Sequence, residues 1–468
     1  MNSNRERAEL AVDVAIIGGG VVGCAVTRRF SLLGAKVVLL EKAPDILAGA
    51  SKANSALLHT GFDAPPGSLE LAAMQRGYRE YLEIRERLNL PLLETGAMVV
   101  AWSEAEQDRL SSIQAQAHAN GVADAVMLDR AEVLAREPSL SPRLLAALLV
   151  PGEHVIDPWS APLAYLTQAL ANGAEAWFDA EVVGGHFDGE HWRLETPRGP
   201  VRAGQIINCA GLHGDRVEAL LLGEASFQIK PRKGQFVVFD KPAAKLLTSI
   251  ILPVPTEHTK GVVLARTIFG NLLVGPTAEE QDDRDRAAVD SGTLAFLIDK
   301  AVDVIPALKD VSVNAIYAGL RPASERKEYR LRHEPGRHWL TIGGIRSTGL
   351  TAALGLAAHA EDLLTSSGQS YPNVEAPAWT PVPNLAEHCV RDWQQPGYGE
   401  IVCHCEMVTR REIEAAFTSS LPPGDFGGLR RRTRAAMGRC QAFYCGARLA
   451  ELTQGRFAVP LAEGRSDG

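Results

Sequence analysis

"VDVAIIGGGVVGCAVTRRFSLLGAKVVLLE", residues 12–41, decides the fold class of this 468-residue chain. It begins with a short apolar run rich in β-branched residues, which is typical of a buried parallel strand. A turn follows in which Gly18, Gly20 and Gly23 have the G-x-G-x-x-G spacing, and the residues after it predict a helix. A second apolar run then ends at Glu41.

This strand, turn, helix and second strand together predict a dinucleotide site. Glycines permit a tight turn and a close approach of the backbone to a pyrophosphate, which the helix N-terminus receives. The carboxylate of Glu41 stands where it can accept a hydrogen bond from a ribose hydroxyl. A glycine turn alone can be purely structural, but here the strands, the helix and the acid accompany it.

Two later segments indicate that the dinucleotide domain is assembled from separate parts of the chain. "QIINCAGLHGD" (205–215) is an apolar strand that enters a turn of small residues. "HWLTIGGIRSTGLTAALGLAAHAEDLL" (338–364) is a further strand, glycine turn and helix. A single nicotinamide-binding Rossmann domain does not need this last unit, so FAD is the favoured cofactor.

With these segments in place, the sequence resembles the FAD-dependent oxidoreductases of the D-amino-acid-oxidase-like fold. "AGASKANSALLHTGFDAPPGS" (48–68) resembles the flavin-contacting loop of glycerol-3-phosphate dehydrogenases and oxidases and of L-2-hydroxyglutarate dehydrogenases. "KGVVLARTIFGNLLVGPTA" (260–278) is most similar to the glycerophosphate-oxidising members. Other matching pieces are "GEHVIDPWS" (152–160), "PRKGQF" (231–236) and "AGLRP" (318–322).

The resemblance covers nearly the whole chain and implies an α/β fold: a discontinuous, Rossmann-like FAD-binding domain, an α+β substrate-cap domain with an antiparallel sheet flanked by helices, and a small helical C-terminal domain. Residues 68–90 and 103–121 predict amphipathic helices. The predicted boundaries are 11–80, 150–215 and 325–370 for the FAD-binding domain, 81–149 and 216–324 for the cap, 371–399 for a proline-rich linker, and 400–456 for the C-terminal domain.

The same resemblance implies which residues contact the cofactor. In this family the glycine turn within residues 338–364, called the late glycine turn below, brings a helix N-terminus to the flavin ring. The helix dipole can stabilise negative charge there. Ser347, Thr348 and Thr351 can bond to flavin or substrate, although hydroxyls in a helix cap explain them equally well. The residues expected at the cofactor are Gly18, Gly20, Gly23, Glu41, Ser51, Asn54, Ser55, Val182, Ala210, Gly211, Gly344, Gly349, Leu350 and Thr351.

Oxidation of a secondary alcohol by hydride transfer to flavin N5 needs a base for the hydroxyl proton. His59 is the candidate base, because it lies in the predicted flavin loop and histidine titrates near neutral pH. Packing or a flavin contact is the alternative role for His59. Lys260 resembles a flavin-side lysine of the glycerophosphate oxidases, and a solvated loop lysine is its alternative.

Fixed cations would hold an anionic substrate beside the flavin. Arg321 and Arg346 are the candidate anion clamps, since guanidinium groups bind phosphate or carboxylate in bidentate fashion. The alternative is that both are surface arginines or cap backbone carbonyls. Because phosphate and carboxylate are both anions with suitable oxygens, the arginines do not distinguish them.

Four of the seven cysteines lie near the end of the chain, Cys403 and Cys405 as C-x-C and Cys440 and Cys445 as C-x4-C. Four thiolates can ligate zinc or a [2Fe–2S] cluster, and C-x-C is tight for zinc. The segment resembles the bacterioferritin-associated-ferredoxin-like [2Fe–2S] domain fused to anaerobic-type glycerol-3-phosphate dehydrogenases. That resemblance favours [2Fe–2S] over zinc and over an empty or redox-active thiol site.

An arginine-rich run lies between the two cysteine pairs. It can offset the negative charge of a cluster or dock an acidic partner, and a solvated helix face is the plain alternative. Its members are Arg430, Arg431, Arg432 and Arg434.

Composition fits an intracellular enzyme. The net charge of −8 argues against general nucleic-acid binding, and no disulfide framework is visible among the cysteines. The start of the sequence lacks a signal-peptide pattern, and no apolar run reaches the length of a membrane span. We therefore expect a cytoplasmic protein, with peripheral association at the inner face of the membrane through a partner left open.

These expectations combine into an FAD and [2Fe–2S] dehydrogenase that oxidises sn-glycerol 3-phosphate to dihydroxyacetone phosphate. Its electrons would leave through the cluster to a quinone or a partner subunit, whereas oxidases pass them directly to oxygen and need no such module. The alternatives are a 2-hydroxy acid such as L-2-hydroxyglutarate, or an amine or amino acid, as substrate. A scaffold subunit without catalysis is a further alternative, and the presence of His59 and both arginines speaks against it.

Overall fold

The computed structural model describes residues 9–255 and 261–462 of the chain. Its strands are β1 (Leu10–Ile17), β2 (Val37–Leu40), β3 (Leu57–Leu58), β4 (Leu92–Glu94), β5 (Ala97–Ala101), β6 (Val126–Asp129), β7 (Ala146–Val150), β8 (His154–Ile156), β9 (Glu175–Trp177), β10 (Gly184–Phe187), β11 (Trp192–Glu195), β12 (Val201–Asn208), β13 (Arg232–Phe239), β14 (Ile250–Pro253), β15 (Val263–Arg266), β16 (Leu272–Gly275), β17 (Glu279–Glu280), β18 (Val313–Arg321), β19 (Arg330–Glu334), β20 (Trp339–Gly343), β21 (Ile401–Cys403) and β22 (Val408–Thr409). Its α-helices are α1 (Val21–Leu32), α2 (Leu69–Leu88), α3 (Glu104–Ala119), α4 (Arg130–Arg136), α5 (Ser160–Ala171), α6 (Gly214–Leu222), α7 (Ser291–Val304), α8 (Gly349–Ser366), α9 (Arg410–Thr418), α10 (Phe426–Thr433) and α11 (Gly446–Leu452).

The first large sheet has a parallel core in the order β9-β2-β1-β12-β20. The antiparallel strands β10, β11 and β19 extend it. β2 is buried along its whole length, as expected for a strand covered on both faces. The three predicted strand and glycine-turn units begin with β1, β12 and β20, which are neighbours in this sheet. The carboxyl ends of parallel strands meet at one edge, so all three turns lie together there.

Helices α1, α2, α5 and α8 cover one face of this sheet and share its main hydrophobic core. Two glycines bring α2 and α8 unusually close together. A Cβ added at Gly77 would lie 2.0 Å from the carbonyl oxygen of Thr351, and one added at Gly355 would lie 2.0 Å from that of Ala73. This close packing fixes α8, whose N-terminus follows the late glycine turn.

The second large sheet has the order β17-β13-β16-β15-β14-β5-β7-β6, and β18 pairs with the other edge of β13. The expected antiparallel sheet is present, except that β14 and β5 pair in parallel. Alternate residues of β5 point to opposite faces. Met98 and Val100 pack with the core that contains α4 and α7, whereas Val99 and Ala101 pack with α3.

The helices predicted over residues 68–90 and 103–121 are confirmed as α2 and α3. Each begins after a serine whose side chain caps the first turn: Ser68 accepts from the backbone N–H of Leu71, and Ser103 accepts from that of Glu106. The fold class is thus as predicted, while the domain boundaries stay a prediction.

Residues 371–399 cross from the first sheet's helices to the second sheet. The N–H of Val382 donates to the carbonyl of Leu88 in α2, and the N–H of Glu387 donates to that of Ile268 beyond β15. The C-terminal domain follows, with its own hydrophobic core around the β21–β22 hairpin and helices α9 to α11.

The C-terminal domain is expected to be helical, but its last part is not helical throughout. Residues 434–445 form an irregular loop between α10 and α11. Its left-handed backbone conformations at Arg434, Ala436, Gln441 and Ala442 are incompatible with a continuous helix. Within the described residues, no helix is both long and apolar enough to cross a membrane.

Candidate active site and cysteine site

A cavity of about 820 Å³ opens where the turns after β1, β12 and β20 meet the end of β18. Its size and its mixture of apolar and polar walls suit a large organic cofactor. Of the expected cofactor residues, Gly23 and Thr351 do not line it. The expected residues that do line it are Gly18, Gly20, Glu41, Ser51, Asn54, Ser55, Val182, Ala210, Gly211, Gly344, Gly349 and Leu350.

The first glycine turn is shaped by close backbone contacts. Gly18 has φ +111°, and a Cβ there would lie 2.6 Å from the carbonyl oxygen of Cys209 at the end of β12. A Cβ on Gly23 would lie 1.9 Å from the carbonyl oxygen of Gly18, so Gly23 packs α1 against its own turn and does not face the cavity. Gly20 occupies the N-cap position of α1 and has no side chain that could cap the helix.

The start of α1 therefore faces the cavity with backbone N–H groups, the arrangement that receives a pyrophosphate. Ser51 also lines the cavity, and its Oγ accepts a 3.0 Å hydrogen bond from the N–H of Val21. This cradle of glycines and backbone donors fits the diphosphate of a dinucleotide.

Glu41 lies at the end of β2 on the cavity wall. Its carboxylate accepts hydrogen bonds from the N–H groups of Gly19, at 2.5 Å, and Ala43, at 2.8 Å. Burial raises the pKa of Glu41, and these backbone hydrogen bonds act in the opposite direction. Two carboxylate oxygens offer about four acceptor positions, so acceptor capacity remains for a ribose hydroxyl.

The late glycine turn leads into α8 on another wall of the cavity. Gly344 has φ +65°, and Thr348 occupies the N-cap position of α8. The Thr348 hydroxyl does not cap the helix but donates to the Glu70 carboxylate at 2.8 Å, and it also bonds to the Tyr329 hydroxyl. The first turn of α8 is thus left without a capping side chain at the cavity.

Arg321, at the end of β18, and Arg346, in the late glycine turn, both line the cavity. Burial, then the neighbouring charges of Arg232 and Arg346, lower the pKa of Arg321 to about 10, so its guanidinium stays charged at neutral pH. Arg321 donates to the carbonyl of Thr277 at 2.5 Å, the kind of contact that the carbonyl-capping alternative describes. Within residues 9–255 and 261–462, neither Arg321 nor Arg346 forms an ion pair, although Glu279 is close enough for its charge to counteract the lowering of the Arg321 pKa.

His59 lies beside this wall without lining the cavity. Its backbone N–H donates to the hydroxyl of Thr351 at 3.1 Å, which ties the β3 loop to the first turn of α8. Its ring Nδ1 lies 2.7 Å from Oε2 of Glu153, which is fully buried. Thr60 donates twice to the other oxygen of Glu153, from its N–H and from its hydroxyl.

Glu153 is a site residue that sequence reasoning missed. An acid between the apolar runs 146–150 and 155–156 was the available indication, because a buried carboxylate needs partners. Lys260, the other candidate beside the flavin, lies outside the described residues.

The four C-terminal cysteines come together around the β21–β22 hairpin and the 434–445 loop. Cys440 is close enough to Cys405 to affect its pKa, and Cys403 is close enough to Cys445 to affect that of Cys445. No group of three or more side chains arranged to hold a single metal ion occurs among the described residues. Two thiol pairs are the ligand set that two irons with two thiolates each require.

The backbone around Cys440 favours a thiolate. A hydrogen bond from the N–H of Tyr444 is the main cause of the lowered pKa of Cys440, with further bonds from Ala442 and Phe443. Burial raises the pKa of Cys445 to about 12. Such N–H donors around sulfur also occur at iron–sulfur clusters, so the residues present fit the group.

The fold and the two sites define an FAD-dependent oxidoreductase with an iron–sulfur domain. Residues 13–363 match the family described as FAD dependent oxidoreductase, and residues 401–454 match the BFD-like [2Fe-2S] binding domain. The chain belongs to this FAD-dependent oxidoreductase family. The predictions of FAD and of a [2Fe–2S] cluster are thereby confirmed.

Individual proteins of known name show which FAD-dependent oxidoreductases the chain resembles. The chain is 30% identical over 463 residues to the glycerol 3-phosphate dehydrogenase of Caloramator mitchellensis, covering 97% of this chain and 96% of that protein. It also resembles the solved structure of dithionite-reduced L-alpha-glycerophosphate oxidase from Mycoplasma pneumoniae with FAD bound, with a TM-score of 0.74 and 27% identity over 80% of this chain and 100% of that one. The mitochondrial L-2-hydroxyglutarate dehydrogenase of Caenorhabditis elegans is 29% identical over 57% of this chain and 63% of that protein.

Replacement of Cys403 tests the cysteine site. We expect Cys403→Ser to lose most of the bound iron and the broad visible absorbance of the cluster, because serine cannot replace a buried thiolate ligand. Iron analysis and the visible spectrum of anaerobically purified protein measure this. Cys389→Ser is the matched control, since Cys389 lies outside both thiol pairs. Unchanged iron content in Cys403→Ser would contradict the ligand assignment.

Proposed function

We propose that this protein oxidises sn-glycerol 3-phosphate to dihydroxyacetone phosphate and passes the electrons on through its [2Fe–2S] domain. The observation that carries the proposal is the pair of arginines, Arg321 and Arg346, on the same wall as the flavin-facing turn. Both lack an ion-pair partner within the described residues, so an anionic substrate would supply the missing negative charge. Bound FAD supplies the two-electron acceptor for the alcohol carbon.

Similarity to the relatives favours a phosphate over a carboxylate as the anionic group of the substrate. The glycerol 3-phosphate dehydrogenase of Caloramator mitchellensis aligns with nearly the whole chain, including the iron–sulfur domain. The L-2-hydroxyglutarate dehydrogenase of Caenorhabditis elegans aligns with little more than half of it. A 2-hydroxy acid remains the second candidate substrate, because the two arginines bind either anion.

His59 serves as the base in this proposal. In this arrangement Oε2 of Glu153 accepts a hydrogen bond from Nδ1 of His59 and so keeps the ring proton on Nδ1. Nε2 is then the ring nitrogen that takes up the hydroxyl proton of the substrate. Glu153 also stabilises the positive charge that develops on the ring when this proton arrives. Through Thr351, the same loop is held against the first turn of α8.

The iron–sulfur domain favours a dehydrogenase over an oxidase. A two-electron donor next to a one-electron centre gives the electrons a route that does not depend on oxygen. We propose a quinone or a partner subunit as the acceptor, with peripheral association at the membrane where that acceptor is membrane-bound. The substrate and the acceptor are separate parts of the proposal and are tested separately.

Anaerobic reduction tests the substrate. Mixing the purified protein with glycerol 3-phosphate should bleach the flavin absorbance rapidly and the broader iron–sulfur absorbance more slowly, because the alcohol is oxidised at the flavin first. Stopped-flow spectroscopy measures both phases. L-2-hydroxyglutarate at the same concentration is the matched comparison. Bleaching by that acid alone would show that the substrate is a 2-hydroxy acid and not glycerol 3-phosphate. Bleaching by neither compound would refute both candidate substrates.

Replacement of His59 tests the base. We expect His59→Asn to keep FAD bound and to slow flavin reduction by about 10²- to 10⁴-fold, the usual contribution of a positioned base. Glu153→Gln should slow it less, because the ring remains while its anionic partner is lost. Single-turnover reduction measures the rate, and the flavin spectrum checks occupancy. A wild-type rate in His59→Asn would remove His59 from the base role.

Replacement of Arg321 tests the anion clamp. A hydrogen bond to a charged group contributes about 1.5–3 kcal/mol, so Arg321→Met should weaken substrate binding by about 10- to 150-fold. The dependence of the flavin-reduction rate on substrate concentration measures this. Arg143→Met, which changes an exposed arginine outside the cavity, should leave the affinity unchanged. Equal affinities in both variants would contradict the clamp.

A further inference from the structure

A short segment of the FAD-binding part lies between the first glycine turn and helix α10 of the C-terminal domain. On one side, the N–H of Leu47 donates to the carbonyl of Gly19 in the glycine turn at 2.9 Å. On the other side, Gly424 approaches so closely that an added Cβ would lie 1.7 Å from the carbonyl oxygen of Pro44. Residues 44–47 therefore contact the dinucleotide turn and the iron–sulfur domain at once.

A buried ion pair fixes this contact. Nη1 and Nη2 of Arg432 in α10 lie 2.6 Å and 2.8 Å from the two carboxylate oxygens of Asp45. Both side chains are almost completely buried. Arg431 adds a 3.1 Å hydrogen bond from Nη2 to the carbonyl of Ile46. The arginine run is therefore neither a solvated face nor reserved for an external acidic partner, because two of its members bind the chain's own FAD-binding part.

A second series of contacts connects the same segment to residues near the C-terminal cysteines. The indole N–H of Trp159 donates to the carbonyl of Lys52 at 3.1 Å, and the indole stacks on Phe269 with ring centroids 5.3 Å apart. The guanidinium of Arg434 lies 4.0 Å from the centroid of the Phe269 ring. Its Nε lies 2.9 Å from the carboxylate of Glu406, the residue next to the candidate ligand Cys405.

Both contacts end on residues 44–52, and residues 48–52 of this segment line the cavity. We propose that the C-terminal domain is a structural part of the FAD site: Arg431 and Arg432 position segment 44–52, so that docking of the iron–sulfur domain and binding of FAD stabilise each other. Such coupling is reciprocal by thermodynamic linkage. The inference depends on bound FAD but not on the identity of the substrate, so it can fail while the proposed reaction holds.

The affinity for FAD tests this inference in the full-length protein. Arg432→Met leaves Asp45 buried without its partner, and we expect it to raise the dissociation constant of FAD by about tenfold or more while iron content stays near wild type. FAD fluorescence during reconstitution measures the constant. Arg410→Met is the matched control, because Arg410 forms an exposed pair with Glu414 in the same domain. Wild-type FAD affinity in Arg432→Met would overturn the proposal.

A milder variant covers the case in which Arg432→Met does not fold. Arg431→Met removes the hydrogen bond to Ile46 and leaves the buried ion pair intact, so we expect a smaller loss of FAD affinity, about three- to tenfold. Linkage supplies a second measurement. FAD should slow limited proteolysis of the 371–399 connection in the wild-type protein, and more weakly in Arg431→Met. No effect of FAD on that cleavage in the wild type would also overturn the proposal.

Discussion

The close contact between the first glycine turn and the end of β12 is the constraint on which the rest of the structure depends. Gly18 lies against the backbone of Cys209, and Gly23 lies against Gly18, at distances that leave no room for a Cβ. This packing sets where α1 begins and brings the ends of β1 and β12 to one edge. The cavity, with Glu41 and the late glycine turn, is assembled around that edge. A side chain at either glycine would have to displace backbone atoms, which no rotamer change can relieve.

Charge pairing separates the structural arginines from the candidate binding arginines. Buried charges are costly unless they are paired, and the buried arginine Arg432 has a carboxylate within hydrogen-bond distance. Arg28, also buried, pairs with Glu80 in the same way. Arg321 and Arg346 depart from this pattern, because neither forms an ion pair within the described part of the chain. Two cations without ion pairs beside a cavity are the arrangement expected of a site that binds an anionic ligand.

The sequence predicted those parts of the fold that are encoded in short segments. The glycine turns and the strands before them were recognisable because only a few residue types satisfy their backbone conformations and burial. The parallel pairing of β14 with β5, the bond between His59 and Glu153 and the partners of Arg431 and Arg432 were not predicted. Each depends on residues far apart in sequence, and a single sequence carries no direct information about which distant segments meet. The break between α10 and α11 was missed because its left-handed residues are not glycines.

The covalent connection explains how a small domain can dock through few contacts. Residues 371–399 join the two parts and are themselves hydrogen-bonded to the rest of the fold through Val382 and Glu387. A connection within one chain raises the effective concentration of one binding surface at the other. An interface that would be weak between separate proteins is then occupied most of the time. The main role of the ion pair between Arg432 and Asp45 is therefore to set the orientation of the domain. The pair does not have to supply all of the binding affinity. Since Asp45 and the cavity-lining residues belong to one short segment, the orientation of the iron–sulfur domain and the shape of the FAD site are determined together.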